Sequence, residues 1–287
     1  MDSYSIISND RSILGESPVW DEKLQRIYWV DIEGKCLHAW SYIENKKLIW
    51  NFDHRLCAIS LTNQNNILLC AFDTFFSFFD ISNNIIKKLD KQVALSSKVR
   101  FNDGKTDGYG RFWCGTMSES KPSKPDGALY MIDNKLEIHE IVKGIYISNS
   151  ITSSLDNRFL YYADTYKKLI FKADLNNKKP HLDKSRIIID NKNLKGFPDG
   201  STIDKDGYLW NAEWNGGQVV QYDEVGKIIN TIKTPMKKPT CIAFGGLKMN
   251  KLFITSAQDN NNDQDDISGK TICIDTKVKG LYSNRFY

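Results

Sequence analysis

The stretch Arg100–Met117, "RFNDGKTDGYGRFWCGTM", sets an Arg, an Asn, two Asp and a Lys within eight residues, then runs into "RFWCGTM", whose apolar content is that of a buried strand. Charged groups beside a core strand cost free energy unless something pairs them. Spacing tests the ready-made binding loops. An EF-hand loop needs acids at alternating positions and a Glu at the twelfth. Counted from Asp103, the third position is Lys105 and the twelfth is Cys114. A P-loop needs a Gly five residues before its Gly-Lys-Thr, and Val99 stands there. No H-E-x-x-H and no G-x-S-x-G occurs, and the four His (His38, His54, His139, His181) show no ligand spacing. The chemistry of this stretch therefore depends on what the fold brings to it.

The elements that must do so are repeated. An apolar strand, a polar turn with Asp, Asn or Gly, and a strand ending in aromatics recur from Pro18, Ile59, Gly104, Ile151, Ser201 and Ile242. The intervals are about 40 to 50 residues, the length of a four-stranded propeller blade. Each copy is followed by a further strand that often closes on an acid, as in "GALYMID", "KLIFKAD", "GQVVQYD" and "GKTICID". Apolar and polar residues alternate there as in half-buried antiparallel strands, and helical periodicity is nearly absent. The pattern predicts an all-β fold: one six-bladed β-propeller of four-stranded antiparallel blades, residues 1–287 forming a single domain. Two packed β-sandwiches would not explain six equal intervals. A ring needs closing, and N-terminal "YSIIS" is expected to complete the sheet containing "KTICID", removing an exposed edge.

In such a ring the segments leading into the innermost strands converge on a central channel. They begin at Leu14, His54, Val99, Ile147, Phe197 and Lys237, and four of the six carry Glu16, Asn102, Asn149 and Asp199. Two carboxylates and two amide oxygens form a hard oxygen set suited to Ca²⁺, Mg²⁺ or Mn²⁺ with water completing the shell. Taken one at a time each residue also reads as a turn former, Asp199 in Pro-Asp-Gly above all; their matching place in the repeat carries the set. His54 stands at the corresponding place in the second repeat and joins the candidates on that ground alone.

The bulk numbers remove other classes. The hydrophobic fraction of 41% with 26% charged residues is that of a globular chain. The net charge of +4 is scattered as single and paired Lys in apparent turns, with no basic block, so no nucleic-acid partner is expected. No apolar run approaches the roughly 18 residues of a membrane span, and no secretory signal is visible; neither a membrane partner nor export is expected, and the protein is placed in the cytoplasm. The six cysteines are widely spaced without a C-x-x-C pair, and four sit in apolar runs, which favours buried free thiols.

"LGESPVW", "RFNDGKTDGYGRFWCGTM", "SNS…LYYADT" and "FPDGSTIDKDGYLWNAEWNGGQV" together resemble the senescence-marker-protein/gluconolactonase/luciferin-regenerating-enzyme family of regucalcin-like propellers and sugar lactonases, from Leu14 to the C-terminal "KGLYSNRF". The resemblance implies a six-bladed propeller with one divalent cation in its channel, held by Glu16, Asn149 and Asp199. The cation's identity is left open among Ca²⁺, Zn²⁺, Mn²⁺, Mg²⁺ and Fe²⁺. It further implies that Arg100 and Asn102 contact substrate oxygens. The family's acid after "GTM" falls on Ser120, which makes Glu119 a shifted candidate for sugar binding. Ser150 stands where the family usually carries Gly.

These residues imply a carboxylic-ester hydrolase that opens a sugar lactone to the aldonic acid. The cation would polarise the carbonyl, Asp199 would double as catalytic base, and Arg100 would orient the substrate. The expected partner is a small sugar lactone, and the expected state a monomer or weak homo-oligomer. Two alternatives stand beside this reading: a non-catalytic calcium-binding regulatory propeller of the regucalcin kind, and a propeller hydrolase of phosphotriesters or other esters. Asp107, Gly108 and Gly110 are expected to make the turn between strands, and Asp103 and Lys105 to pair or cap locally beneath the site.

Overall fold

Strand β1 (Tyr4–Ser8) opens the chain, and four strands then follow for each of five sheets. The first sheet holds β2 (Gly15–Asp21), β3 (Arg26–Asp31), β4 (Cys36–Ser41) and β5 (Lys46–Asn51). The second holds β6 (Leu56–Leu61), β7 (Ile67–Phe72), β8 (Phe76–Asp80) and β9 (Ile85–Lys88). The third holds β10 (Val99–Thr106), β11 (Phe112–Ser118), β12 (Gly127–Ile132) and β13 (Ile138–Ile145). The fourth holds β14 (Ser148–Ser153), β15 (Phe159–Asp164), β16 (Leu169–Leu175) and β17 (Leu182–Asp190). The fifth holds β18 (Phe197–Ile203), β19 (Leu209–Trp214), β20 (Gln218–Tyr222) and β21 (Ile228–Lys233). The sixth is β22 (Pro239–Gly245), β23 (Lys251–Ser256) and β24 (Thr271–Asp275), closed by β1. This computed structural model describes residues 3–121, 123–177, 179–193, 195–259 and 267–287.

The result is a six-bladed β-propeller with antiparallel four-stranded blades and, among the described residues, no helix. Ring closure falls on the expected segments: Tyr4, Ser5 and Ile6 pair with Ile274, Cys273 and Ile272. No helix among the described residues is long and apolar enough to cross a membrane. All six cysteines are buried and free of disulfides.

Burial grades outward along each blade. Strand β6 is buried throughout, whereas β9 at the rim of the same blade is wholly exposed. The core lies between blades: Trp20 of β2 stacks on Phe253 of β23, and Phe76 of β8 lies 4.2 Å from Phe101 of β10 between ring centroids. Blades approach closely enough near the axis that a Cβ at Gly200 would meet Cys241 Sγ at 2.1 Å.

The "TDGYGRFW" turn is built as its residues require. Asp107 accepts hydrogen bonds from Tyr109 and Arg111 N–H on one oxygen, and from Arg111 Nε and Trp113 Nε1 on the other. Gly110 supplies the left-handed backbone at φ 76°. Asp204 and Trp210 repeat this lock in the fifth blade, with an indole bond of 2.7 Å.

One end of the channel is closed by the C-terminal segment. Ser283 Oγ donates to Trp20 O, Asn284 Nδ2 to Thr106 O and Phe286 N to Leu61 O, at or near the far ends of three innermost strands. Arg285 anchors the segment to Asp21 at 2.7 Å. A cavity of about 110 Å³ lies against it, lined among others by Ser60, Lys105, Thr152 and Leu281. The residues singled out for chemistry stand toward the other end, at the start of the innermost strands.

Candidate active site in the channel

Each innermost strand slips its register against the second strand of its blade near its beginning. The shifts fall between Glu16 and Val19, Leu56 and Ala58, Phe101 and Gly104, Asn149 and Thr152, Pro198 and Ser201, and Pro239 and Ile242. A bulge leaves residues unpaired and re-aims their side chains. Glu16 and Asn149 are the last paired residues before a bulge, whereas Asn102 and Asp199 lie within one. All four polar residues thus stand at or within the same irregularity, repeated around the ring. Strand β14, "SNSITS", is polar in composition yet buried along its whole length, as a strand lining a hydrogen-bonded site must be.

The acids so gathered repel one another. Glu16 and Asp199 are buried. Burial first, then the charge of Asp103, pushes the Glu16 carboxyl up to about 8. Asp199 is driven well above the usual range by burial and then by Glu16 and Asp103. Asp199 Oδ1 is buried and has no hydrogen-bond partner within the protein. A buried oxygen without a partner among crowded carboxylates fits a cation, which would supply the missing partner and reverse the repulsion. The donor set of Glu16, Asn149 and Asp199 is all oxygen.

The amide of Asn149 is oriented from both sides. Its Nδ2 donates to Thr165 Oγ1 at 2.9 Å, and Thr165 in turn donates to Pro198 O at 2.7 Å. Its Oδ1 accepts from Asn102 Nδ2 at 2.9 Å. Asn102 Oδ1 accepts from Arg100 Nη1 at 2.8 Å. Arg100, Asn102 and Asn149 therefore form one chain of hydrogen bonds, buried throughout.

Glu119 lies at the edge of this chain, with Oε1 3.5 Å from Arg100 Nε. Its main partner is Arg55, which grips both carboxylate oxygens at 2.6 and 3.0 Å. That bidentate pair holds the Glu119 carboxyl below its ordinary value. Glu119 is thus brought to the site but already engaged. His54 is half exposed, with Nδ1 3.6 Å from Asp73 and its ring edge-on to Phe75.

Asp103 has Lys105 and the Gly104 backbone as local partners, and both side chains also tie to other blades: Asp103 Oδ2 accepts the N–H of Ile151 in the fourth, and Lys105 Nζ reaches Ser201 O in the fifth. Short-range reasoning does not reach those bonds between blades. Similar ties run from Ile59 N–H to Ser17 Oγ and from Ser150 Oγ to the Asp199 carbonyl, the latter at 2.5 Å. Ser150 takes φ 57°, the left-handed region that favours glycine. Its hydroxyl, bonded to Asp199 O and to Asn211 Nδ2, is what the serine adds. Sequence reasoning missed Thr165, Asn211 and Arg55. None carries a motif, although Thr165 follows the strand-ending "YYAD".

A propeller with a buried carboxylate–amide set at one end of its channel defines a class, and the sequence has relatives of that kind. Residues 14–258 match the family described as SMP-30/Gluconolactonase/LRE-like region, and the chain belongs to that family. It is 34% identical to a regucalcin of Danio rerio over 88% of this chain and 85% of that one. It is 30% identical to an L-arabinolactonase of Azospirillum brasilense over 98% and 95%. A solved structure from Agrobacterium tumefaciens, described as a calcium-binding protein, regucalcin, superposes with a TM-score of 0.93 at 27% identity, covering 100% of this chain and 98% of that one.

Proposed function

We propose that this protein is a metal-dependent hydrolase that opens a sugar lactone to the aldonic acid. Glu16, Asn149 and Asp199 would hold the cation. The observation that carries the metal half is the unpartnered, buried Asp199 Oδ1 amid carboxylates of raised proton affinity. The enzymatic half draws its support from the buried Arg100–Asn102–Asn149 chain, which pure cation binding does not require, and from relatives named as lactonases of five- and six-carbon sugar acids.

A divalent cation, when bound, supplies Lewis-acid polarisation of the lactone carbonyl and charge stabilisation for the oxyanion. The protein's own groups do the rest. Arg100 orients substrate oxygens through the donors it does not spend on Phe101 O and Asn102, and Asn102, whose amide donates to Ser148 O and Asn149 Oδ1, holds Arg100 and Asn149 in a preorganised chain. Asp199, kept ionised by the cation, takes a proton from the attacking water as that oxygen adds to the carbonyl carbon. The acyl carbon–ring oxygen bond then breaks, and the proton held on Asp199 passes to the departing ring oxygen. Glu119 and Arg55 act as positioning residues that keep Arg100 in place.

The test is acid release from a panel of aldonolactones by metal-stripped protein given back single cations. Turnover above the spontaneous rate is expected with at least one, and Asp199→Ala should abolish both metal binding and turnover. Full activity in that variant would sink the site assignment. Cation binding without turnover of any lactone would favour the second reading, a calcium-binding regulatory propeller, which the regucalcin names among the relatives support.

A further inference from the structure

A second cluster lies in the first blade, apart from the channel acids. Asp31 ends β3, and Cys36 and His38 stand on β4; all three are buried, and one donor atom from each lies within 4.8 Å of the other two. Cys36 Sγ is 3.2 Å from His38 Nε2. The other ring nitrogen, Nδ1, is buried without a hydrogen-bond partner and faces Asp10 Oδ2 at 3.7 Å. Asp10 is itself paired with Lys47. Asp31 is held rigidly: Oδ1 accepts the N–H of Leu14 and Gly34, and Oδ2 that of Ile13. An ionised carboxylate has about four acceptor sites, so Oδ2 keeps one for a further partner.

The fourth blade provides an internal control. There Asp164 ends β15 and accepts the N–H of Tyr146 and Ile147, as Asp31 accepts those of Ile13 and Leu14. Asp164 pairs with Leu169 as Asp31 pairs with Cys36. Phe171 stacks on Tyr162 at 5.0 Å, as His38 stacks on Trp29 at 5.0 Å. The clamp and the ring stack are thus met with Leu and Phe alone. Blade one places a thiol and an imidazole at the same two positions, beyond what the fold asks.

We propose that Asp31, Cys36 and His38 form a second cation site, for a borderline-soft divalent ion of the Zn²⁺ class, with Asp10 orienting His38. Sulfur, nitrogen and oxygen donors together select such an ion over the hard cations suited to the channel. A carboxylate behind the second ring nitrogen is the usual support of a metal-binding histidine. Three protein ligands leave a fourth position for water. A thiol–imidazole hydrogen bond alone would account for Cys36 and His38, but not for the carboxylate of Asp10 behind Nδ1.

The experiment is Co²⁺ titration of the full-length, metal-stripped protein, followed through the near-ultraviolet thiolate-to-cobalt charge-transfer band. One equivalent should produce the band, and Asp199→Ala should keep it, separating this site from the channel. Cys36→Leu and His38→Phe, the residues of blade four, should fold, as far-ultraviolet circular dichroism would show. Cys36→Leu should lose the band, and His38→Phe should lose or greatly weaken it. Asp10→Asn should weaken Co²⁺ binding about 10- to 100-fold. Absence of the band in the wild-type protein, or its survival in Cys36→Leu, overturns the proposal.

Discussion

Single residues in the channel carry a stability signature that can be read without substrate. Burial and mutual repulsion raise the proton affinity of Glu16 and Asp199 in the metal-free protein. A carboxyl raised on folding contributes stability that is fully present below its unfolded value and lost as pH rises through its folded one. For Glu16 that window runs from 4.5 to about 8. Metal-free protein should therefore lose thermal stability between about pH 5 and 8, and Glu16→Gln should flatten the fall. A divalent cation reverses the sign, since it favours the ionised forms, so its stabilisation should be largest near the top of the window. Melting scans with and without cation across that range check this; a melting temperature that rises toward pH 8 without metal and is insensitive to Glu16→Gln would contradict the electrostatic account of the site.

At the scale of the element, the bulge at the head of each innermost strand does the positioning, and Ser150 tests it. Ser150 adopts φ 57° and donates to the Asp199 carbonyl. Glycine there would relieve the left-handed conformation, worth about 1–2 kcal/mol, and lose the hydroxyl. Alanine would lose the hydroxyl and keep the strain. Ser150→Gly should therefore be more stable than Ser150→Ala by about 1 kcal/mol, the reverse of the usual order within strands. Denaturant midpoints of the two variants decide it, and an equal or inverted order would mean that the bulge is not strained. The same element explains what was legible in sequence. Strand spacing, ring closure through Tyr4–Ser8 and the convergence of Glu16, Asn102, Asn149 and Asp199 follow from period and repeat position. The cross-blade bonds of Asp103, Lys105 and Ser150 do not, because each joins residues some 50 to 100 positions apart that only the closed ring brings together. The Arg55 grip on Glu119 spans 64 positions and leaves no local pattern to find.

For the whole molecule, function depends on the ring staying closed. Glu16 belongs to blade one and Asp199 to blade five, so their separation is set by the blades between them on one side and by blade six on the other. Blade six borrows β1, whose first residues are exposed and whose hold is the ladder to β24. Deleting residues 1–8 would leave β24 as a bare edge strand, its N–H and C=O groups unpaired and open to other chains. It would also free blade six to shift against blade one, where Thr240 Oγ1 holds the Gly15 carbonyl beside Glu16. A loss of a few kcal/mol in a chain of this size corresponds to a fall in melting temperature of about 6 °C or more. The truncated protein should show that fall, a tendency to self-associate, and weakened cation binding in the channel. Deleting residues 281–287 acts at the opposite end of the channel and removes the buried Phe286 and the Arg285–Asp21 pair. It should destabilise comparably while leaving cation affinity nearly unchanged, because none of its hydrogen bonds touches Glu16, Asn149 or Asp199. Paired calorimetric titrations on the two truncations separate closure from plugging; equal loss of cation affinity in both would show that the site depends on global stability and not on the geometry of the ring.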